Sequence, residues 1–73
     1  MKLKIADPTP DMIRAARDAA GLSQTEAATQ AGLANYQRWA EYERGVRPID
    51  SIRWQWFLLQ TGQHPKLALV EAA

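Results

Sequence analysis

The chain has 73 residues, 47% of them apolar, and its nine basic and eight acidic residues leave a formal net charge of +1. A chain this short folds as one domain with a small core, and its apolar content argues against intrinsic disorder. With no cysteine and one histidine, it has neither a disulfide framework nor the ligands of a zinc site. Because no apolar run is long enough for a membrane span or a secretion signal, we expect a cytosolic protein.

The first predicted helix follows an N-terminal segment, residues 1–8, in which basic and apolar residues alternate as in a short strand or an ordered arm. Thr9 is a favourable N-cap, and Pro10 suits the first helical position. Asp11 complements the positive end of the helix dipole. We expect Gly21 to end this helix in a left-handed conformation.

The second predicted helix is short and carries small side chains. Ser23 and Glu26 stand three residues apart, which is the spacing of a capping box at a helix start. We expect Gly32 to end the helix. Its inner face carries residues that let another helix approach closely: Ala27, Ala28 and Ala31.

The third predicted helix starts after Asn35, a favourable cap, and runs to Arg44, with Gly45 as its stop. One face of this helix is formed, at i, i+3 and i+4 spacing, by Trp39, Tyr42 and Glu43.

A fourth helix is predicted over residues 50–60, ending at Thr61 and Gly62. Its apolar surface is wider than one small core needs, which predicts a second buried face. The tail, residues 63–73, could add a final helical turn after Pro65. His64 has no partner nearby in the sequence, and we expect it at the surface.

The segment "SQTEAATQAG" resembles the first helix and the turn of the helix-turn-helix in the lambda-repressor and Cro-like family. That family has Ser-Gln at the helix start, a small residue four positions after the glutamine and a glycine eight after it. Gln24, Ala28 and Gly32 fit this pattern. The family often pairs an arginine late in helix one with a glutamate late in helix three, and Arg17 and Glu43 occupy those places.

The end of the third helix is also similar to this family, which tends to close it with an aromatic residue, a glutamate, any residue and a glycine. The sequence "YERG", Tyr42 to Gly45, matches. One extra residue separates Gly32 from this motif, compared with the commonest spacing, and we place it in the turn. "WAEYERG", with the arginine-proline turn and tryptophan-rich helix that follow, resembles small phage-type members, among them repressors that accompany anti-CRISPR genes.

The resemblance covers residues 10–62 and implies an all-α, compact four- to five-helix domain over residues 9–62. It implies a sequence-specific regulator of transcription that binds double-stranded DNA in the cytoplasm, at the nucleoid of a bacterial host. We expect a homodimeric autorepressor on an inverted repeat, phage-borne and controlling an anti-CRISPR operon, with no cofactor, metal, membrane or small-molecule ligand. Because nothing resembles a nucleophile-base pair, a metal cluster or a phosphate loop, we do not expect an enzyme.

The resemblance makes the third helix the recognition helix, whose N-terminal side chains enter the major groove. On the side of the helix away from Trp39 and Tyr42, the expected base-reading residues are Tyr36, Gln37, Arg38 and Glu41. The residues expected to contact the DNA backbone are Gln24, Thr25, Arg44, Arg47 and Arg53. A plain solvated surface is the alternative for both sets.

A homodimer needs an apolar surface distant from the recognition helix. The residues expected there are Trp54, Leu58, Leu67 and Val70, with residues 2–6 as a second candidate. The tryptophans could instead stack on single-stranded bases, but their helical spacing favours core and dimer contacts. Two other functions remain open: an antitoxin that binds DNA and neutralises a protein toxin, and an adaptor that binds protein alone.

Overall fold

Four α-helices form the regular structure of residues 7–67, the part of the chain that this computed structural model describes. They are α1 (Pro10–Ala19), α2 (Gln24–Gln30), α3 (Tyr36–Arg44) and α4 (Ser51–Gln60). The described residues include no strand, which confirms the all-α prediction. Most of the predicted N-terminal arm and of the tail, residues 1–6 and 68–73, lies outside this part of the chain. Within it, no helix is long and apolar enough to cross a membrane.

Each helix begins at a residue whose side chain accepts a hydrogen bond from an amide of the first turn. Such caps satisfy amides that have no partner inside the helix, and each contributes about 0.5–2 kcal/mol. At α2 the bonds are reciprocal: the Glu26 amide lies 3.1 Å from Ser23 Oγ, and the Ser23 amide 2.9 Å from Glu26 Oε1. The four capping residues are Thr9, Ser23, Asn35 and Asp50. The predicted helix starts are therefore confirmed, with Asp50 as the cap of α4.

Glycines end α2 and α3 as predicted. Gly32 and Gly45 have φ angles of 79° and 74°, which other residues rarely adopt. At Gly45 the backbone closes as a Schellman motif, in which the Val46 amide donates to the Glu41 carbonyl at 3.0 Å. A five-residue turn, residues 31–35, follows α2 and carries the chain into α3.

The core lies where α2 packs against both α3 and α4, while α1 packs against α3. Trp39 and Phe57 are the largest fully buried side chains, and their ring centroids lie 4.6 Å apart. The buried residues of the second helix are alanines, whose small side chains let the other helices approach closely. The predicted inner face of α2 is confirmed, because all three of its alanines are buried: Ala27, Ala28 and Ala31.

The apolar side chains of α4 are divided between core and surface in a different way from the one expected from the sequence. Trp54 and Leu58, expected at a dimer interface, are only 4% and 7% exposed and belong to the core of the single chain. Neither side chain has surface to offer a partner without leaving that core. The exposed apolar residues of α4 are instead Ile52 (83%) and Trp56 (44%). Of the other expected dimer residues, Leu67 is exposed and Val70 lies outside the described residues.

The prediction that His64 lies at the surface is wrong, because the residue is buried. Its Nδ1 accepts hydrogen bonds from the amides of Lys66 at 3.1 Å and Leu67 at 3.0 Å. Nδ1 therefore carries no proton, and Nε2 donates to Gln55 Oε1 at 3.0 Å. These bonds hold the chain after α4 against that helix, and no helical turn follows Pro65 as far as Leu67.

Candidate nucleic-acid interface

The carboxylate of Glu43 joins α1, α2 and α3, and its side chain is only 2% exposed. Arg17 donates to it twice, from Nε to Oε2 at 2.6 Å and from Nη2 to Oε1 at 3.2 Å. Trp39 donates its indole N–H to Oε2, and Gln24 donates to Oε1 at 3.4 Å. Arg14 adds a longer ion pair, with Nε 3.5 Å from Oε1. The structure thus contains the predicted ion pair between Arg17 and Glu43.

Electrostatics keep this ion pair charged. Burial raises the pKa of Glu43, but hydrogen bonds from Arg17, Trp39 and Gln24 outweigh it and hold that pKa below its ordinary value. The hydrogen bond to Glu43 in turn raises the pKa of Arg17. Because the donors come from three helices, a buried charge that would otherwise be costly fixes the orientation of α3 against α1 and α2.

The outer face of α3 is polar and open. The groove along this face is lined by the residues predicted to read bases together with one predicted backbone contact: Tyr36, Gln37, Arg38, Glu41 and Arg44. All but Glu41, which is half-buried, are exposed. The structure therefore brings the four predicted base-reading residues together on one surface, while Trp39, Tyr42 and Glu43 of the same helix are buried on its other side.

An ion-pair cluster occupies the middle of this face. Glu41 Oε1 lies 3.3 Å from Arg38 Nε and 3.4 Å from Arg47 Nε. Arg44 is exposed on the same helix. The three arginines outnumber the one carboxylate, so these four residues give the surface a net positive charge.

The residues predicted to contact a DNA backbone are not equivalent. Thr25 lies exposed in the first turn of α2, and Arg44 and Arg47 are exposed at and beyond the end of α3. The amide of Gln24 instead binds Glu43, and Arg53 Nη1 donates to the Ala31 carbonyl at 2.6 Å.

Arg53 therefore has a structural contact that the sequence interpretation missed. The Ala31 carbonyl lies just after the last turn of α2, where no amide within the helix donates a hydrogen bond to the carbonyls. By binding it, Arg53 ties α4 to the turn that leads into α3. The two residues are 22 positions apart, and no sequence pattern links them.

No protein-family model matches the chain, and no curated protein matches it either. The functional interpretation therefore rests on the motif residues and on the arrangement of the α3 surface.

Proposed function

We propose that this chain is a sequence-specific double-stranded DNA-binding protein with a lambda-repressor-like helix-turn-helix, formed by α2, the turn of residues 31–35 and α3. The observation that carries the proposal is the two-sided character of α3. Its inner side is fixed by the buried Glu43 network, while its outer side presents hydrogen-bonding side chains in an open groove. Reading the major groove requires a rigid helix with solvent-exposed polar side chains on one side.

The outer side chains suit base edges in the major groove. The Arg38 guanidinium can bind O6 and N7 of guanine together, and the Gln37 amide can bind N6 and N7 of adenine. Tyr36, at the first position of α3, can reach a phosphate or a thymine methyl group. Because these side chains extend from the N-terminal half of α3, that end of the helix enters the groove in this proposal.

The surrounding cations suit the DNA backbone. Arg44 lines the groove, Arg47 is paired with Glu41 at its edge, and Thr25 lies exposed in the first turn of α2. Phosphate contacts of this kind position the protein without reading sequence, and they make affinity fall steeply with salt. Arg53 is left out of this set, because its guanidinium is engaged with Ala31 and Asp50.

One recognition helix contacts too few base pairs to select a site in a genome, so the proposal includes a homodimer on an inverted repeat. Two copies would place their α3 helices about one DNA turn, roughly 34 Å, apart. The exposed Ile52 and Trp56 on α4 are apolar side chains available for pairing. As a transcription regulator, this dimer would act as an autorepressor. Its phage origin and its control of an anti-CRISPR operon are supported by the sequence resemblance alone.

The same exposed apolar residues support one other function. In an antitoxin, Ile52 and Trp56 would bind a toxin protein while α3 bound DNA. Co-expression with the product of the neighbouring gene separates the two functions: a stable complex that frees the host from toxicity favours the antitoxin, and a homodimer alone favours the repressor.

Selection from a pool of random-sequence duplexes tests DNA binding directly. We expect the wild-type protein to enrich one inverted repeat in the presence of excess competitor DNA. The variant Gln37→Ala/Arg38→Ala is the matched control, because both side chains are exposed and their loss should leave the fold intact. If the wild type enriches no sequence, or prefers single strands, the proposal is wrong.

A further inference from the structure

Glu41 differs from its neighbours on the α3 surface, because it is the acidic residue among arginines in a groove proposed to face DNA. We propose that Glu41 is a specificity-determining residue that acts by positioning Arg38 and Arg47, and that the base under Arg38 is a guanine. This inference rests on the proposed function and replaces the sequence expectation that Glu41 itself reads a base.

The geometry of the cluster carries the inference. A single oxygen, Glu41 Oε1, faces Nε of both arginines, at 3.3 Å for Arg38 and 3.4 Å for Arg47. Arg38 lies one helical turn before Glu41 on α3, whereas Arg47 lies in the segment between α3 and α4. The carboxylate therefore ties the side chain of the recognition helix to a cation from the following loop.

The contact leaves the reading edge of Arg38 available. The guanidinium has two edges that can each bind a pair of acceptors, one through Nε and one through the terminal nitrogens Nη1 and Nη2. Glu41 lies on the Nε side. Among residues 7–67 neither terminal nitrogen of Arg38 donates a hydrogen bond, so the outer edge can donate to O6 and N7 of guanine while Glu41 stays in place.

A direct base contact by Glu41 fits the structure less well. To accept a hydrogen bond from cytosine N4, its carboxylate would have to give up the interactions with Arg38 and Arg47. The carboxylate would then stand unpaired beside DNA phosphates, where like charges repel. Positioning Arg38 requires no such exchange.

The same charges explain how Glu41 would discriminate between sites. On a sequence with no guanine at this position, Arg38 would turn to phosphates, which would separate it from Glu41 and leave the carboxylate near the phosphate backbone. On the cognate site Arg38 keeps Glu41 and gains guanine. Glu41 thus lowers affinity for random DNA and preserves affinity for the cognate site, which is the way that repulsive elements raise specificity.

The test compares dissociation constants of the wild type, Glu41→Gln, Arg38→Ala and the double variant at one salt concentration. The probes are the selected duplex, a random duplex, and the selected duplex with 7-deazaguanine, which lacks N7, at each guanine in turn. Asp11→Asn is the matched charge control, because it removes one exposed carboxylate from α1 instead of α3. Circular dichroism and the melting temperature verify that every variant is folded.

We expect Glu41→Gln to bind random DNA several-fold more tightly and to lose about tenfold in the ratio of cognate to random affinity, the size of one bidentate base contact. At one position, 7-deazaguanine should weaken binding by the wild type, and it should weaken binding by Glu41→Gln to a smaller extent. Arg38→Ala should reduce affinity for the selected duplex less in the Glu41→Gln background than in the wild type. Asp11→Asn should leave the ratio of cognate to random affinity unchanged.

Two results would overturn the inference while leaving the proposed function standing. One is an unchanged affinity ratio in Glu41→Gln. The other is loss of discrimination at a cytosine with guanine discrimination intact, which would make Glu41 a direct base reader. A wild type that selects no duplex at all would instead overturn the proposed function, and this inference with it.

Discussion

Arg17 and Glu43, 26 positions apart in the chain, meet through two hydrogen bonds, and the shorter joins Arg17 Nε to Glu43 Oε2 at 2.6 Å. This pair connects the last turn of α1 to the end of α3. It makes the orientation of α3 depend on one buried carboxylate. The effect of disrupting this pair on the free energy of unfolding can be measured without DNA.

Arg17→Ala should destabilise the fold by about 3 kcal/mol, because it leaves the buried Glu43 carboxylate without its main partner. Arg14→Ala is the control, since Arg14 contacts the same carboxylate at 3.5 Å but is largely exposed. It should cost no more than about 1 kcal/mol, as exposed pairs do. Urea unfolding followed by circular dichroism gives both values, and equal effects of the two variants would refute the proposed importance of the buried pair.

Stability should also fall in acid through Glu43. The hydrogen bonds from Arg17 and its neighbours hold the pKa of Glu43 below its unfolded value of 4.5. The charged carboxylate therefore stabilises the fold above pH 4.5, and this contribution is lost as the pH falls through the lower folded-state pKa. Melting temperatures at pH 7 and pH 3 should differ more for the wild type than for Glu43→Gln, which cannot titrate there. A parallel decline in both proteins would assign the acid sensitivity to other groups.

Base reading predicts a selective loss of affinity. Gln37→Ala should cost about 1–3 kcal/mol on the selected duplex and little on random DNA. Arg38→Ala should cost as much on the selected duplex and less on random DNA, where Arg38 contacts phosphate in place of a base. Arg44→Ala is the contrasting variant: it should weaken binding to both duplexes alike and reduce the slope of log affinity against log salt by about one. Fluorescence anisotropy titrations at several salt concentrations distinguish the two patterns. Equal losses on both duplexes for Gln37→Ala and Arg38→Ala would make them backbone contacts.

Pairing of two copies can be tested on the exposed side of α4. Ile52→Glu should leave the helices intact, because Ile52 is exposed, yet halve the mass in solution and lower affinity for the inverted repeat. Leu58→Glu should instead unfold the chain, since it places a charge in the core. Sedimentation velocity with circular dichroism separates the two outcomes. A wild type that sediments as a monomer with and without DNA would contradict the homodimer.

The helix boundaries could be predicted from sequence because they depend on chemistry within a few residues. The capping bond of Ser23 with Glu26 and the positive φ of Gly45 are local in this sense. The bond from Arg53 to the Ala31 carbonyl depends on how α4 packs against α2, which no spacing encodes. The burial of His64 could not be predicted for the same reason, because its partner on α4, Gln55, comes into reach only after folding.

Helix α4 shows a different limit. Apolar residues surround most of it, so helical periodicity cannot tell which side meets the core. In the structure Trp54 and Leu58 belong to the core, and Ile52 lies outside it. The Arg17–Glu43 pair was accessible only through family resemblance, since charged residues 26 positions apart carry no signal of their own. On the outer face of α3, the residues could be named but the link between Glu41, Arg38 and Arg47 could not.

The separation of α3 into a buried side and an exposed side has a consequence for the evolution of binding preference. Tyr36, Gln37 and Arg38 take no part in the core, so exchanging them should change stability by only about 0.5 kcal/mol, as for other surface positions. Substitution of Trp39 or Glu43, in contrast, should be strongly destabilising, because each side chain contacts neighbours on other helices. Under the proposed function, the protein could therefore acquire a new target sequence in evolution by substitution of a few surface residues, without first acquiring stabilising changes elsewhere. The core and the helix packing would stay the same while the recognised DNA sequence changed.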